Sequence, residues 1–281
     1  MIIEKKKFIF LVLVFFFKIL GGFFYFFYQN EYGFDFNSIF SSYCQNPLNF
    51  TFEAYSKNIL DFFHRIIFIR FCFLGNVLYY WFFLAIQSIL IVIVFYKFYD
   101  FFKYKFNSTL LLMAIFLSPT FVIYASAPTK DGWFILGLCL IIAFSNRLPK
   151  LVLLIPALIK PYFLPLYGFK LRYTNFILFI CFFSVFFYFE FYKPIIRIIE
   201  IKLSVFNFEN LFDLNLPSSI FLFEILAIFF ITFYTKLIDK KTLTFISLIS
   251  LIGAGFNLNV GSRILTAGIF FLISVIYVKN K

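Results

Sequence analysis

Ser118-Pro-Thr-Phe-Val-Ile-Tyr-Ala-Ser-Ala-Pro-Thr-Lys130-Asp131-Gly-Trp133 is a turn between two apolar runs, 107–125 and 128–145, each long enough to cross a bilayer. Pro119 and Pro128 punctuate it, and a lysine and an aspartate stand near its end. Ionisable side chains near membrane depth are expensive to keep, and where they are kept they face a cavity, a partner or a substrate. The stretch therefore bears on two matters together. It points to a helical membrane protein, and it marks where that protein's chemistry is to be sought.

The remainder of the chain repeats the pattern. Its 281 residues are 63% hydrophobic and only 14% charged, with a mean hydropathy of +0.96; soluble domains carry roughly 25% charged residues. Further apolar runs at 8–28, 77–96, 174–192, 218–235, 243–259 and 264–278 bring the expected transmembrane helices to about eight. The run from Phe8 spans a bilayer and no small-residue cleavage site follows it, so it reads as the first transmembrane helix rather than a signal peptide. The 52 phenylalanines fit an AT-rich codon supply at lipid-facing positions and carry no functional weight here.

Segment 151–169 decides the topology. As a single span it would put Lys236, Lys240, Lys241, Lys279 and Lys281 outside, against the positive-inside rule. As a re-entrant hairpin with its tip at Lys160-Pro161 it leaves all of them cytoplasmic, and irregular backbone at that depth is tolerable when protein covers it or it lines a cavity. With both termini inside, the inner segments hold fifteen basic residues, among them Lys5, Lys97, Arg147, Lys170 and Lys240, against the acids Glu4, Asp100 and Asp239. The ten basic and ten acidic residues elsewhere cancel, so the net charge of +12 sits on the inner face. Basicity then reports orientation, and no nucleic acid partner is implied. The expectation is one all-α, polytopic integral membrane domain over residues 1–281, of about eight spans plus a hairpin.

Cysteines and histidines exclude much. Cys44, Cys72, Cys139 and Cys181 follow no metal or redox spacing, although a disulfide between Cys44 and Cys72 across the first external loop stays open. His64 is the single histidine, so no His-rich zinc site is expected, and no cofactor motif is present.

That external loop, residues 29–76, carries Glu31 and Asp35 just past the first span. Either acid is placed to take a proton from an acceptor hydroxyl, and either reads equally as a solvated loop residue. In its second half, Lys57, Asp61 and Arg65 recur at four-residue spacing beside an apolar stripe, which suits an interfacial amphipathic helix over 53–75. Arg70, set among apolar residues, is placed to meet a phosphate or to snorkel to headgroups.

Three further segments add charge on the same side. Pro128 fits the first turn of a helix, which puts Lys130 and Asp131 where the helix dipole favours an anion. Lys160, followed by Pro161 and Tyr162, stands at the hairpin tip and either neutralises a phosphate or pairs with Asp131. Arg263 is the only charge in the turn expected at 258–263. Lys18, Glu190 and Glu224 lie in or near spans with no partner legible from the sequence. Acids beside a basic anion site are what transfer from a lipid-linked sugar phosphate requires: one group deprotonates the acceptor while others stabilise the departing phosphate.

These motifs resemble those of the GT-C glycosyltransferases and of bacterial O-antigen and capsule polymerases. Ser118-Pro119 followed by Lys130-Asp131 is similar to their "Ser-Pro, then Lys-acid" turn, Lys160-Pro161-Tyr162 to their basic-Pro segment, and Gly261-Ser262-Arg263 to a late Gly-Ser-Arg turn. Asp35 occupies the place of an acid early in their first external loop. The resemblance implies a GT-C-like fold that polymerises polyprenyl-phosphate-linked saccharides at the external face of a bacterial inner membrane, within the bilayer and beside other polysaccharide-assembly membrane proteins. It implies Asp35, Asp131 and Glu31 as catalytic residues, and Arg70, Lys130, Lys160, Tyr162 and Arg263 as phosphate or substrate ligands, without a metal. The chain is short for such a polymerase, which leaves two alternatives open: a transporter or flippase of a lipid-linked or anionic solute, and a non-catalytic membrane subunit.

Overall fold

The computed structural model describes residues 2–28, 72–106, 109–144, 216–236 and 238–279. Among the described residues every regular element is helical and no strand occurs. The helices in chain order are α1 (Ile2–Tyr28), α2 (Gly75–Phe106), α3 (Thr109–Phe116), α4 (Pro119–Ile123), α5 (Lys130–Ala143), α6 (Leu216–Thr235), α7 (Lys240–Phe256) and α8 (Leu258–Lys279), with 3-10 turns at Cys72–Leu74 and Tyr124–Ser126. Three stretches, Lys5–Tyr28, Gly75–Lys103 and Leu258–Val278, are long and apolar enough to cross a membrane, and α3 with the Pro119–Ser126 segment makes a fourth if that bent pair is one span. The hairpin expected at 151–169, the span at 174–192 and the helix over 53–71 lie outside the described residues.

Pro119 kinks the span before it, as a proline at that place predicts, and two boundaries differ from expectation, each for a local reason. The run 107–125 is broken by 56° at Leu117-Ser118. Ser118 is the N-cap of α4, accepting from the Phe121 amide at 3.2 Å, and Pro119 occupies the first helical position, so the chain restarts its helix there. The run 128–145 becomes helical only at Lys130, with Thr129 at the cap position and Pro128 outside. The turn expected at 258–263 shrinks to Asn257, whose Oδ1 accepts from the Asn259 amide at 2.8 Å and starts α8 at once. Arg263 is therefore a helical residue.

Contacts at the two ends fix the relative direction of the helices. At one end Lys7 of α1 pairs with Asp100 of α2 at 2.5 Å, Lys97 of α2 donates to the Ile142 and Ala143 carbonyls that end α5, and Tyr277 of α8 packs on Phe98 and Phe101. At the other end the Tyr80 hydroxyl donates to the Gly22 carbonyl at 2.7 Å, and Tyr124 packs against Tyr25 and Phe221. Between them Phe95, Phe116, Phe121 and Phe270 interlock as a buried aromatic core. The exterior exposes Phe8, Phe16, Leu78, Phe223 and Leu251, as a lipid-facing surface would. Small residues bring helices close: a Cβ on Gly21 of α1 would strike the Val122 carbonyl, and one on Gly261 of α8 would meet the Ser250 carbonyl of α7 at 2.7 Å.

Candidate functional site

The broken segment α4 and the turn after it form the centre of the tyrosine-rich end. They are sunk into the bundle. Gln87, which donates through Nε2 to the Gly132 carbonyl at 3.0 Å, lies twelve residues beyond Gly75 in α2, about 18 Å along that helix by its rise. The first turn of α5 is therefore recessed well below the Gly75 end of α2, by more than half the roughly 30 Å thickness of a bilayer's hydrocarbon layer.

Asp131, in that first turn and buried, meets Arg263 from α8. The guanidinium donates to Asp131 Oδ2 through Nε at 2.9 Å and through Nη2, and it lies over the Tyr124 ring at 4.7 Å. The Tyr124 hydroxyl in turn accepts from the Asn259 side-chain amide. The ion pair thus joins residues 132 positions apart, from two helices, on an aromatic platform supplied by a third element. The dipole of α5 adds partial positive charge beside the carboxylate. Arg263 keeps 27% of its side chain exposed against 6% for Asp131, so the arginine is the more accessible half of the pair.

Beneath the pair lies a second polar group built on α4. Glu224 of α6, buried, accepts from the Thr120 amide at 3.2 Å and its hydroxyl at 2.9 Å through Oε2, and from Thr266 of α8 at 2.9 Å through Oε1. Because the one Thr120 hydroxyl proton goes to Glu224, Ser262 donates to Thr120 Oγ1 across 2.8 Å, and Ser262 precedes Arg263 in the chain. On the opposite side of α4, Lys18 of α1 is fully buried and donates to the Phe121 carbonyl at 2.9 Å. A lysine and a glutamate from different helices therefore grip the same five-residue helix.

Of the residues singled out from sequence, the structure brings together Asp131 and Arg263. Lys130 is the first residue of α5. Glu31, Asp35, Arg70, Lys160 and Tyr162 lie outside the described residues, as does Glu190. The partners of Lys18 and Glu224 are now defined, and Thr120, Tyr124, Asn259, Ser262 and Thr266 join the site. The available signal for the last two was helical spacing: Ser262 and Thr266 stand four apart on an apolar helix. Among the described residues no group of three or more His, Cys, Asp or Glu side chains is placed to hold a metal ion. Cys139 is a free, buried thiol. Compared with protein-family models, curated proteins and solved structures, the chain matches none.

Proposed function

We propose that this chain is a bacterial membrane glycosyltransferase that acts at the external face on polyprenyl-phosphate-linked sugars, joining repeat units of a surface polysaccharide. The observation that carries the reading is the Asp131–Arg263 pair, recessed at the first turn of α5 on an aromatic platform. The topology that goes with it has eight spans and a re-entrant hairpin, GT-C-like, with both termini in the cytoplasm.

In this reading the donor's diphosphate engages Arg263, with Lys130, Lys160 and Arg70 as further cations, and so draws the guanidinium off Asp131. The acceptor hydroxyl attacks the anomeric carbon, the bond from that carbon to the phosphate oxygen breaks, and the diphosphate leaves as an anion held by these cations. The hydroxyl proton passes to Asp131 or to Asp35, with Glu31 beside the latter and Tyr162 against the substrate. The resting ion pair keeps the acid's charge balanced until an anionic substrate arrives.

The test is the length distribution of surface polysaccharide in cells lacking this protein, complemented by wild type, Asp35→Asn, Asp131→Asn or Arg263→Ala. Loss of the long-chain ladder with single repeat units retained, rescued by wild type alone, supports the reading. Removal of the catalytic base lowers the rate by roughly 10²–10⁴. An unchanged ladder in the deletion abandons it.

One observation favours a second reading, a transporter of a lipid-linked or anionic solute. A helix broken at Ser118-Pro119 inside the membrane, gripped by buried Lys18 and Glu224, is the kind of element on which transporters build binding sites. Solute uptake or lipid-linked saccharide flipping by the purified protein in vesicles, without glycosidic bond formation, selects it.

A further inference from the structure

The seam between α2 and α5, next to Asp131, holds polar groups that the ion pair does not use. Gln87 is fully buried; its Nε2 is committed to the Gly132 carbonyl, which fixes the amide's orientation and leaves Oε1 with no hydrogen-bond partner. Thr129, also buried at 6% exposure, stands at the N-cap position of α5. A threonine there ordinarily bonds an amide of the first turn. Here the side chain makes no capping bond, and its Oγ1 is unpartnered as well. Two buried side chains of this kind on facing helices are costly in a membrane-embedded bundle unless a ligand meets them.

The chemistry of the two atoms selects the ligand. A carbonyl oxygen such as Gln87 Oε1 only accepts, so a fully ionised phosphate or carboxylate has nothing to give it. A hydroxyl both donates and accepts and serves Gln87 and Thr129 alike. Alongside them Trp133 and Phe83 stand edge to face with ring centroids 4.9 Å apart, offering the apolar wall against which the C–H groups of a pyranose ring pack. Gly132 lets the Ala127 carbonyl of the preceding turn and the Phe83 ring of α2 approach α5, since a Cβ there would strike the carbonyl and press on the ring at 3.1 Å.

We propose that the α2–α5 seam is a saccharide subsite, in which Gln87 and Thr129 bind hydroxyls of an uncharged sugar ring stacked on Trp133. The requirement for an uncharged, hydroxyl-rich ligand comes from the seam itself; its assignment to the sugar that reacts at Asp131 rests on the transferase reading. Thr129 and Trp133 each stand two residues from Asp131, so the subsite selects the sugar while the neighbouring pair handles the phosphate.

Trp81 and Trp133 are the only tryptophans in the chain. The full-length Trp81→Phe protein in lipid nanodiscs therefore reports from Trp133 alone. It is titrated with N-acetylglucosamine, galactose, mannose and rhamnose, and separately with inorganic phosphate. The expected result is a saturable change in emission with at least one sugar and none with phosphate, with affinity about tenfold weaker in Gln87→Met and in Thr129→Val. No saturable response to any sugar, a response to phosphate only, or unchanged affinity in both variants overturns the subsite. The two readings fail separately. Sugar binding without any effect of the deletion on the polysaccharide ladder removes transfer and keeps the subsite. A ladder that depends on Arg263 but not on Gln87 or Thr129 keeps transfer and removes the subsite.

Discussion

Arg263 is held by shape as well as by charge: two of its nitrogens meet one carboxylate oxygen and its plane lies on Tyr124. Lysine keeps the charge but has neither the fork nor the flat face. Arg263→Lys should therefore lose most of the long-chain polysaccharide, close to Arg263→Ala, whereas a charge-only role would leave the ladder intact. Glu224 makes a different demand. Its carboxylate receives a backbone amide that has no other acceptor, so Glu224→Gln, which keeps one oxygen for the Thr120 amide and turns its NH₂ to Thr266, should unfold near the wild-type temperature. Glu224→Leu strands the amide and two hydroxyls and should cost about 2 kcal/mol, read as a lower thermal midpoint in detergent; equal midpoints would deny Glu224 its place under α4. Asp131 and Arg263 were legible in the sequence as charges among apolar residues, but their pairing was not, because 132 positions separate them. Lys18 and Glu224 were visible only as lone charges. Their partners are a carbonyl, an amide and hydroxyls, which leave no mark in a charge pattern.

Three helices in this bundle begin where a side chain serves an amide, which explains the break at Ser118 and the early start of α8. Ser118 caps α4, Asn257 starts α8, and Asp239 caps α7 by accepting from the Thr242 amide at 2.8 Å and hydroxyl at 2.7 Å. Read for polarity, Asn257, Asn259, Ser262 and Arg263 form a loop, yet the last three are helical because each finds its partner inside: Tyr124, Thr120 and Asp131. Tertiary partners converted an apparent loop into the first turns of α8. The long apolar runs of α1, α2 and α8 needed no such partners, which is why their course was legible from hydropathy alone. Asp239→Ala removes a cap at a half-open turn whose next-to-preceding residues include Lys236 in the left-handed region, φ 51°. It should lower stability by about 1 kcal/mol, while Asp239→Asn keeps the acceptor and most of the stability. Thermal unfolding of the two variants side by side separates a capping role from a charge role at that position.

At the scale of the whole molecule the two ends of the bundle differ in chemistry. One end carries Lys5, Lys6, Lys7, Lys97, Lys103, Lys240 and Lys241, with Lys97 on the carbonyls that close α5, where the helix dipole welcomes a cation. The other carries tyrosines, Asn257 and the recessed ion pair. The positive-inside rule predicts that the lysine end faces the cytoplasm, and the proposed external glycosyl transfer requires that orientation. Asn257 and Lys240, both exposed, lie at opposite ends of α7. In a background with Cys44, Cys72, Cys139 and Cys181 replaced by serine, Asn257→Cys should react with a membrane-impermeant maleimide on intact cells, and Lys240→Cys only after permeabilisation. The reverse pattern would turn the Asp131–Arg263 pair toward the cytoplasm and would remove the proposed external reaction from this site. Labelling of both from one side would mean that α7 does not cross the membrane at all, and the recessed end would then lose the bilayer that makes its charges costly.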